Sequence, residues 1–236
     1  MSIFEKRIGA PSFYFILIIM VIFCIFFLGV FYLNHDISKW SSVYSGLFTA
    51  FLVASIQLSL SYYEFKKLRK YEKLGIIDIV KHRRGKNEYG NIIRKSKKEI
   101  CLMGNTASRF MNDFANQDVD GNNALLTALT NGASVRILLP NYAHLPDDTH
   151  PKLKKTIDMS SKLSNHYGDK FKIRFFNAQP SHSILIIDDQ SIIGPIFNGI
   201  ESQHSPAITT SNISDFSKPY IEYFNNTWDL ADSNAQ

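Results

Sequence analysis

Two long uncharged apolar runs open the chain. No formally charged residue occurs from Ile8 to Asn34, and the centre of this run reads FILIIMVIFCIFFLGVFYL. A second uncharged run extends from Trp40 to Tyr63. Because about 20 helical residues span the hydrocarbon core of a bilayer, the pattern predicts two transmembrane helices within residues 1–63, at about 12–33 and 41–63.

Small and polar residues form a stripe along the second predicted helix. Steps of three and four place them on one side of that helix: Ser42, Gly46, Thr49, Ala50, Ala54, Gln57 and Ser61. Small residues let helix backbones approach closely, and hydroxyl groups hydrogen-bond across the contact. We interpret this small-residue stripe in three ways: as a packing seam between the two helices of one hairpin, as a self-association face that lines a wet path in an oligomer, or as ordinary lipid-facing surface.

Basic residues flank the two runs unevenly. The chain has a net charge of +5. Lys6 and Arg7 precede the first run, and Lys39 is the one basic residue other than histidine between the runs, whereas many follow the second. Because lysine and arginine near helix ends stay on the cytoplasmic side, we predict a multi-pass protein of a bacterial inner membrane with both termini cytoplasmic and a short periplasmic loop.

Residues 64–90 are predicted to be a basic juxtamembrane linker. Their side chains are suited to contact the phosphates of anionic lipid headgroups or, alternatively, of nucleic acid. The candidates are Lys66, Lys67, Arg69, Lys70, Arg83 and Arg84.

Beyond residue 90, helical and strand patterns alternate. Helical patterns are NEYGNIIRKSKKE, NNALLTALTNG, HPKLKKTIDMSSKLSNHYGD and KPYIEYFNNTWDLA, and strand patterns are ICLMG, SVRILLP, FKIRFFNAQ, HSILIIDD, SIIGPIF and SPAITTS. This alternation predicts a single α/β domain with a mixed sheet over residues 91–236. With two cysteines in 236 residues, a disulfide framework is not expected.

The segment PSHSILIIDDQSIIGPIFNG, with the order of elements around it, resembles one half of a phospholipase D-like domain. The resemblance covers roughly residues 91–231. In that family a histidine attacks a phosphodiester, a lysine two positions later holds the phosphate, and an acidic residue follows. Histidine and lysine spaced by two point to the same face of a strand, so nucleophile and phosphate anchor converge.

Aligned on its histidine, this chain lacks the phosphate anchor. His182 takes the histidine position, but the lysine position is Ile184 and the acidic position is Asp189. The later glycine and asparagine of the family pattern match Gly194 and Asn198. An isoleucine side chain cannot bind a phosphate as an ammonium group does.

Aligned one residue earlier, the chain lacks both active groups. Ser181 then takes the histidine position, Ser183 the lysine position and Asp188 the acidic one. In either register Pro195 replaces the serine that usually follows the glycine. The resemblance therefore implies a phospholipase D-like domain without hydrolase activity. We expect His182 to hydrogen-bond to Asp188 or to backbone, and the two aspartates to form a tight polar turn.

The loop NYAHLPDDTHP carries residue types that bind metals, namely His144, Asp147, Asp148 and His150. Their spacing matches no helical or strand ligand pattern, so neither a metal nor another cofactor is predicted.

The layout of two membrane helices, a polar second helix and a cytoplasmic domain resembles the two-transmembrane effectors of bacterial anti-phage abortive-infection systems, in particular those encoded with retrons. That resemblance implies a toxin effector that forms a homo-oligomer in membrane lipid and is held in check by a reverse transcriptase and its RNA–DNA product. Two alternatives are open. One is a membrane-anchored phospholipase D-like nuclease or phosphodiesterase in which Lys172 or Arg174, on the strand FKIRFF that we expect to be adjacent, replaces the missing lysine. The other is a non-toxic membrane-tethered sensor module.

Overall fold

The computed structural model describes residues 10–33, 41–83, 85–116, 119, 121–197 and 199–234. Contacts divide the chain into two compact units, Met1–Lys70 and Tyr71–Gln236. The predicted periplasmic loop, Lys39, Arg84 and Asn198 lie outside the described residues.

The first unit is a pair of helices, α1 (Ala10–Leu33) and α2 (Ser41–Lys73). Both are long and apolar enough to cross a membrane, because the most apolar stretch of 18 residues has a mean hydropathy of 3.1 within Phe13–Leu33 and of 1.6 within Ser42–Lys73. Aromatic rings hold the pair together. Phe13 stacks on Tyr62 with ring centroids 3.8 Å apart, and Phe23 stacks on Phe51 at 5.2 Å.

Helix α2 runs ten residues beyond its predicted end at residue 63, to Lys73. The straight-chain residues of this extension are good helix formers, and no proline or glycine interrupts them. The helix is followed by Gly75, whose positive φ of 66° suits the left-handed conformation that commonly ends helices. Lys66, Lys67 and Arg69 are therefore exposed helical residues and not part of an irregular linker.

The second unit is built on one mixed sheet of seven strands, in the order β1-β7-β6-β5-β2-β3-β4. Strands β2, β3 and β4 are parallel, and the remaining neighbours are antiparallel. The strands are β1 (Ile76–Val80), β2 (Glu99–Met103), β3 (Ser134–Pro140), β4 (Phe171–Phe176), β5 (His182–Ile187), β6 (Gln190–Pro195) and β7 (Ala207–Ser211). The predicted α/β class with a mixed sheet is confirmed.

Strand β1 lies within residues 64–90, where the sequence predicted a linker. It pairs with β7 through Ile79 and Ile208, among others, so the sheet begins well before residue 91. The strand was missed because Ile76, Ile77 and Ile79 stand among basic residues and lack a clear alternation. Ile77 and Ile79 are both exposed on this edge strand.

Helices cover both faces of the sheet. Four of them, α3 (Lys86–Lys95), α4 (Ser108–Phe114), α5 (Ala124–Thr130) and α6 (His150–Tyr167), contribute to one buried cluster, and α7 (Lys218–Leu230) contributes to the other. Neighbouring residues of β3 divide between the two clusters because strand side chains alternate: Ile137 joins the first and Leu138 the second. Helix α4 was not predicted, since two turns give too short a period to recognise.

Candidate functional site

The β5–β6 hairpin carries the residues that stand at the phospholipase D positions. Ser181 directly precedes β5, and Asp188 and Asp189 form the turn into β6. Asp188 has a φ of 49°, in the left-handed region that aspartate tolerates better than most residues. The predicted tight polar turn is confirmed.

In the register that begins at His182, the lysine position lies inside an apolar core. Ile184 is fully buried in the cluster beneath α7, together with Phe224 and Trp228. The His182 ring lies on the same face, 5.5 Å from the Tyr220 ring. An ammonium group at residue 184 would be buried without a partner, so this environment suits the isoleucine and excludes a phosphate anchor there.

His182 hydrogen-bonds to Ser181 and not to Asp188. Its Nδ1 lies 2.8 Å from Ser181 Oγ, so the expected contact with Asp188 is wrong. A serine beside a histidine is a potential nucleophile and base, but activation usually needs a third group that orients the ring. Within the described part of the chain, no carboxylate hydrogen-bonds to His182.

The Asp188 carboxylate holds the start of β2. Its Oδ1 accepts hydrogen bonds from Ser96 Oγ at 2.7 Å and from the backbone N–H groups of Lys98 and Glu99 at 3.0 and 3.1 Å, and its Oδ2 accepts one from Lys97 N at 3.0 Å. Partial burial acts to raise the pKa of Asp188, but these hydrogen bonds outweigh it, and the pKa is lowered. The acidic position of the family pattern therefore has a structural role here.

In the other register, the lysine position faces an arginine from a different part of the chain. Ser183 pairs with Gly194 across β5 and β6, so both point to the same face of the sheet. The Arg83 guanidinium carbon would lie 3.2 Å from a Cβ on Gly194, and that Cβ would also collide with the Pro206 carbonyl oxygen. Glycine is needed at this position chiefly because the Pro206 backbone carbonyl occupies the place of a Cβ, and the Arg83 side chain packs beside it.

Arg83 was predicted to be one of several exposed phosphate contacts, and this prediction is wrong. It is only 8% exposed, and its Nη2 donates a hydrogen bond to Pro195 O at 3.0 Å. Sequence reasoning grouped it with the basic linker because β1 was not recognised. The chain turns after β1, and this turn brings Arg83 inside the domain.

Neither Lys172 nor Arg174 replaces the missing lysine. Both lie on the edge strand β4, and β2 and β3 separate it from β5, a distance of about 14 Å at the usual strand spacing. Lys172 Nζ pairs with Asp169 at 3.0 Å. Arg174 Nη1 donates to Trp228 O at 2.8 Å, and its guanidinium stacks over the Trp228 ring. The expectation that β4 adjoins β5 is wrong.

In the loop whose residue types could bind a metal, His150 contacts backbone carbonyl groups. His150 Nε2 lies 3.0 Å from Tyr142 O and 3.2 Å from Leu145 O. In the residues that the structure describes, no three side chains of histidine, cysteine, aspartate or glutamate are grouped to hold a metal.

The small-residue stripe of α2 faces away from α1. Six of its members are exposed, Ala54 is half-buried, and a Cβ on Gly46 would meet nothing within 4 Å. The contacts with α1 come from another side of α2, where Phe51 and Tyr62 stack on α1 rings and Ser55 is 9% exposed. The interpretation of the stripe as the packing seam of the hairpin is therefore wrong.

Comparisons with known proteins give a likeness of fold only. No family model and no curated protein matches the chain. TrmBL2, an archaeal chromatin protein with a novel mode of DNA binding, matches at 17% identity and a TM-score of 0.44, over 80% of this chain and 70% of that one. Nuc from Salmonella typhimurium, a phospholipase D family member, matches at 17% identity and 0.43, over 64% and 90%. The phosphatidylserine synthase of Haemophilus influenzae Rd KW20 matches at 13% identity and 0.40, over 63% of this chain and 36% of the synthase.

Proposed function

We propose that this chain is a membrane effector of a bacterial anti-phage defence system. In this proposal α1 and α2 cross the inner membrane, and copies of the chain associate through the small-residue stripe of α2 when the α/β domain is engaged. The associated helices let ions through the bilayer, and the infected cell dies before phage are released.

The exposed stripe of α2 is the observation that carries the proposal. An apolar helix has little need for glycine, serine, threonine and glutamine on a surface that faces only lipid, because each replaces a side chain that lipid would solvate better. Thr49 Oγ1 donates to the backbone of Ser45, but the Gln57 amide cannot be satisfied by hydrocarbon. A second copy of α2 offers both close backbone approach and polar partners.

The α/β domain acts in this proposal as a regulator and not as a hydrolase. The histidine and lysine positions of the phospholipase D pattern are either two serines or a histidine and a core isoleucine. The Asp188 carboxylate accepts hydrogen bonds from the Ser96 hydroxyl and from three backbone N–H groups. The layout of the chain further favours a retron-type system, in which a reverse transcriptase and its RNA–DNA product hold the effector inactive until infection.

Cysteine cross-linking in native membranes tests the association. In a Cys24→Ser background, Gly46→Cys places a thiol on the stripe, and oxidation is expected to give covalent dimers because facing Cα atoms lie within reach of a disulfide. Ser59→Cys is the matched control, since Ser59 is also exposed and projects from another side of α2. Equal yields of dimer from the two variants, or monomer from both, would contradict the proposal.

A membrane-anchored phosphodiesterase is the second candidate, favoured by the contact between Ser181 Oγ and His182 Nδ1 and by the cation of Arg83 on the Ser183 face. We expect the purified full chain to leave a generic phosphodiester intact. Hydrolysis that is lost on His182→Ala and retained on His166→Ala, a histidine on α6, would establish this candidate and overturn the regulatory reading of the domain.

A further inference from the structure

Three buried side-chain atoms have no hydrogen-bond partner in the part of the chain that the structure describes: Arg83 Nε, Ser160 Oγ and Ser205 Oγ. Buried polar groups in folded proteins are nearly always paired with protein, water or an ion, so each such atom needs a reason. Arg83 is more than nine-tenths buried and carries a full charge, which makes its unpaired donor the most costly of the three.

Two of the three atoms belong to the same corner of the domain. Ser205 is 1% exposed and directly precedes Pro206. The Pro206 carbonyl oxygen, the Arg83 guanidinium carbon and the Ala207 Cβ are the three atoms nearest to where a Cβ on Gly194 would lie. The Arg83 guanidinium and the segment that follows Ser205 thus meet beside Gly194, near the end of β6 and the start of β7.

The same corner has more positive than negative charge in its ion pairs. Arg109 Nη1 donates to the Arg83 carbonyl oxygen at 2.9 Å, while Arg109 Nε pairs with Asp113 Oδ2 at 3.2 Å. Lys86 Nζ lies 4.0 Å from the other oxygen of Asp113. The side chains of Arg109 and Lys86 are 34% and 41% exposed, so solvent reaches this side of the corner. Lys86 and Arg109 thus share the Asp113 carboxylate, and Arg109 is hydrogen-bonded to the backbone of Arg83. A second carboxylate, that of Glu88, would lie 2.7 Å from a Cβ on Gly85.

We propose that this corner, formed by Arg83, Lys86, Arg109 and Ser205, binds a phosphate group. Guanidinium N–H groups are the preferred donors to phosphate oxygens, and a hydroxyl and an ammonium group complete a donor set for an anion. The phosphate comes from a free phosphorylated compound or from a lipid headgroup. The corner is built from the connection between β1 and α3, from the first residue of α3, from α4 and from a residue two positions before β7. Its Arg83 lies on the Ser183 face of the β5–β6 hairpin.

Binding to this corner gives the α/β domain a means of sensing. An anion bound at this corner contacts α4 and the segment before β7. Strand β7 pairs with β1, and two residues connect β1 to the end of α2. This use of the site rests on the proposed function, whereas the binding itself does not.

Equilibrium dialysis of the full chain in a neutral detergent against radiolabelled inorganic phosphate tests the site. We expect saturable binding of one phosphate per chain. Arg83→Met should weaken it at least about tenfold, as expected for the loss of a charged donor. Arg94→Met is the matched control, because Arg94 is a surface arginine of α3 whose Nη2 lies 3.4 Å from Asn123 Oδ1, and it should bind as the unchanged chain does. Competition by adenosine monophosphate or by dihexanoyl phosphatidylglycerol distinguishes a free compound from a lipid headgroup.

A second measurement separates a ligand site from a purely structural arginine. In phosphate-free buffer, Arg83→Met should unfold at the same temperature as the unchanged chain or higher, because it removes a buried cation that has no counter-charge. If that variant does not fold, Arg109→Gln should weaken phosphate binding while the circular dichroism spectrum is kept. Absence of saturable binding of all three probes, or equal weakening by Arg94→Met, would overturn the proposal. Neither result depends on whether the chain is toxic.

Discussion

Under the proposed effector function, Gly46→Leu is expected to yield a chain that inserts in the membrane but is not toxic to bacteria. Gly46 lies in the exposed stripe of α2, with no atom within 4 Å of the place where a Cβ would be. Leucine is therefore tolerated in a single copy and is favourable in lipid. Between two copies, however, an isobutyl group on each helix prevents the close backbone approach that small residues allow, so association and the ion path are lost together.

The matched control for Gly46→Leu is Ser59→Leu. Ser59 is exposed on another side of α2, and its hydroxyl donates to the Ser55 carbonyl of the same helix. This variant makes the same kind of small-to-large change without affecting the stripe, and we expect it to stay toxic. Colony formation after induction is the readout, with membrane fractions checked for equal amounts of protein. Toxicity that survives Gly46→Leu and Ala50→Leu would remove the stripe from the mechanism.

Asp188→Asn is expected to destabilise the α/β domain by about 2–4 kcal/mol, since one carboxylate accepts four hydrogen bonds and the amide can replace only part of them. Asparagine keeps the size of the side chain and tolerates the positive φ of this residue, so the variant isolates the loss of charge and of acceptors. Guanidinium unfolding followed by the fluorescence of Trp228, which is 6% exposed, measures the change.

The pH dependence of this difference has a defined sign. Because the pKa of Asp188 is lowered in the folded chain, its contribution is fully present above the ordinary value of 3.8 and is lost as the pH falls through the folded pKa. The stability gap between the unchanged chain and Asp188→Asn should therefore be constant at neutral pH and narrow below about pH 4. Asp189→Asn is the control, since Asp189 is exposed in the same turn. An equal loss in both variants, or a gap that widens in acid, would refute the role of Asp188.

Most of the sheet could be predicted from the sequence because its strands are apolar runs closed by clear turn residues. Strands β2 to β7 and helices α3, α5, α6 and α7 lie where the patterns place them. Strand β1 could not be found in this way, since its isoleucines stand in a basic stretch and its partner β7 lies about 130 residues further on, so only a long-range pairing defines it.

The candidate sites depended on contacts that a sequence pattern does not contain. The pattern located the Asp188 turn, but its hydrogen bonds to residues 96–99 follow from the pairing of β5 with β2. The burial of Arg83 follows from β1. The Ser205 hydroxyl, which has no hydrogen-bond partner among the described residues, carries no signal in the sequence. Periodicity shows which residues belong to the small-residue stripe. It does not show which way the stripe faces, because that depends on which aromatic rings of α2 pack on α1.

Membrane potential tests the central claim most directly. A voltage-sensitive dye would follow bacteria after induction of the full chain, alone and after chemically induced clustering of the α/β domain. The proposal predicts depolarisation that precedes the loss of viability and is absent with Gly46→Leu. A constant potential in both conditions, with the chain present in the membrane fraction, would contradict the claim that this protein acts on the bilayer.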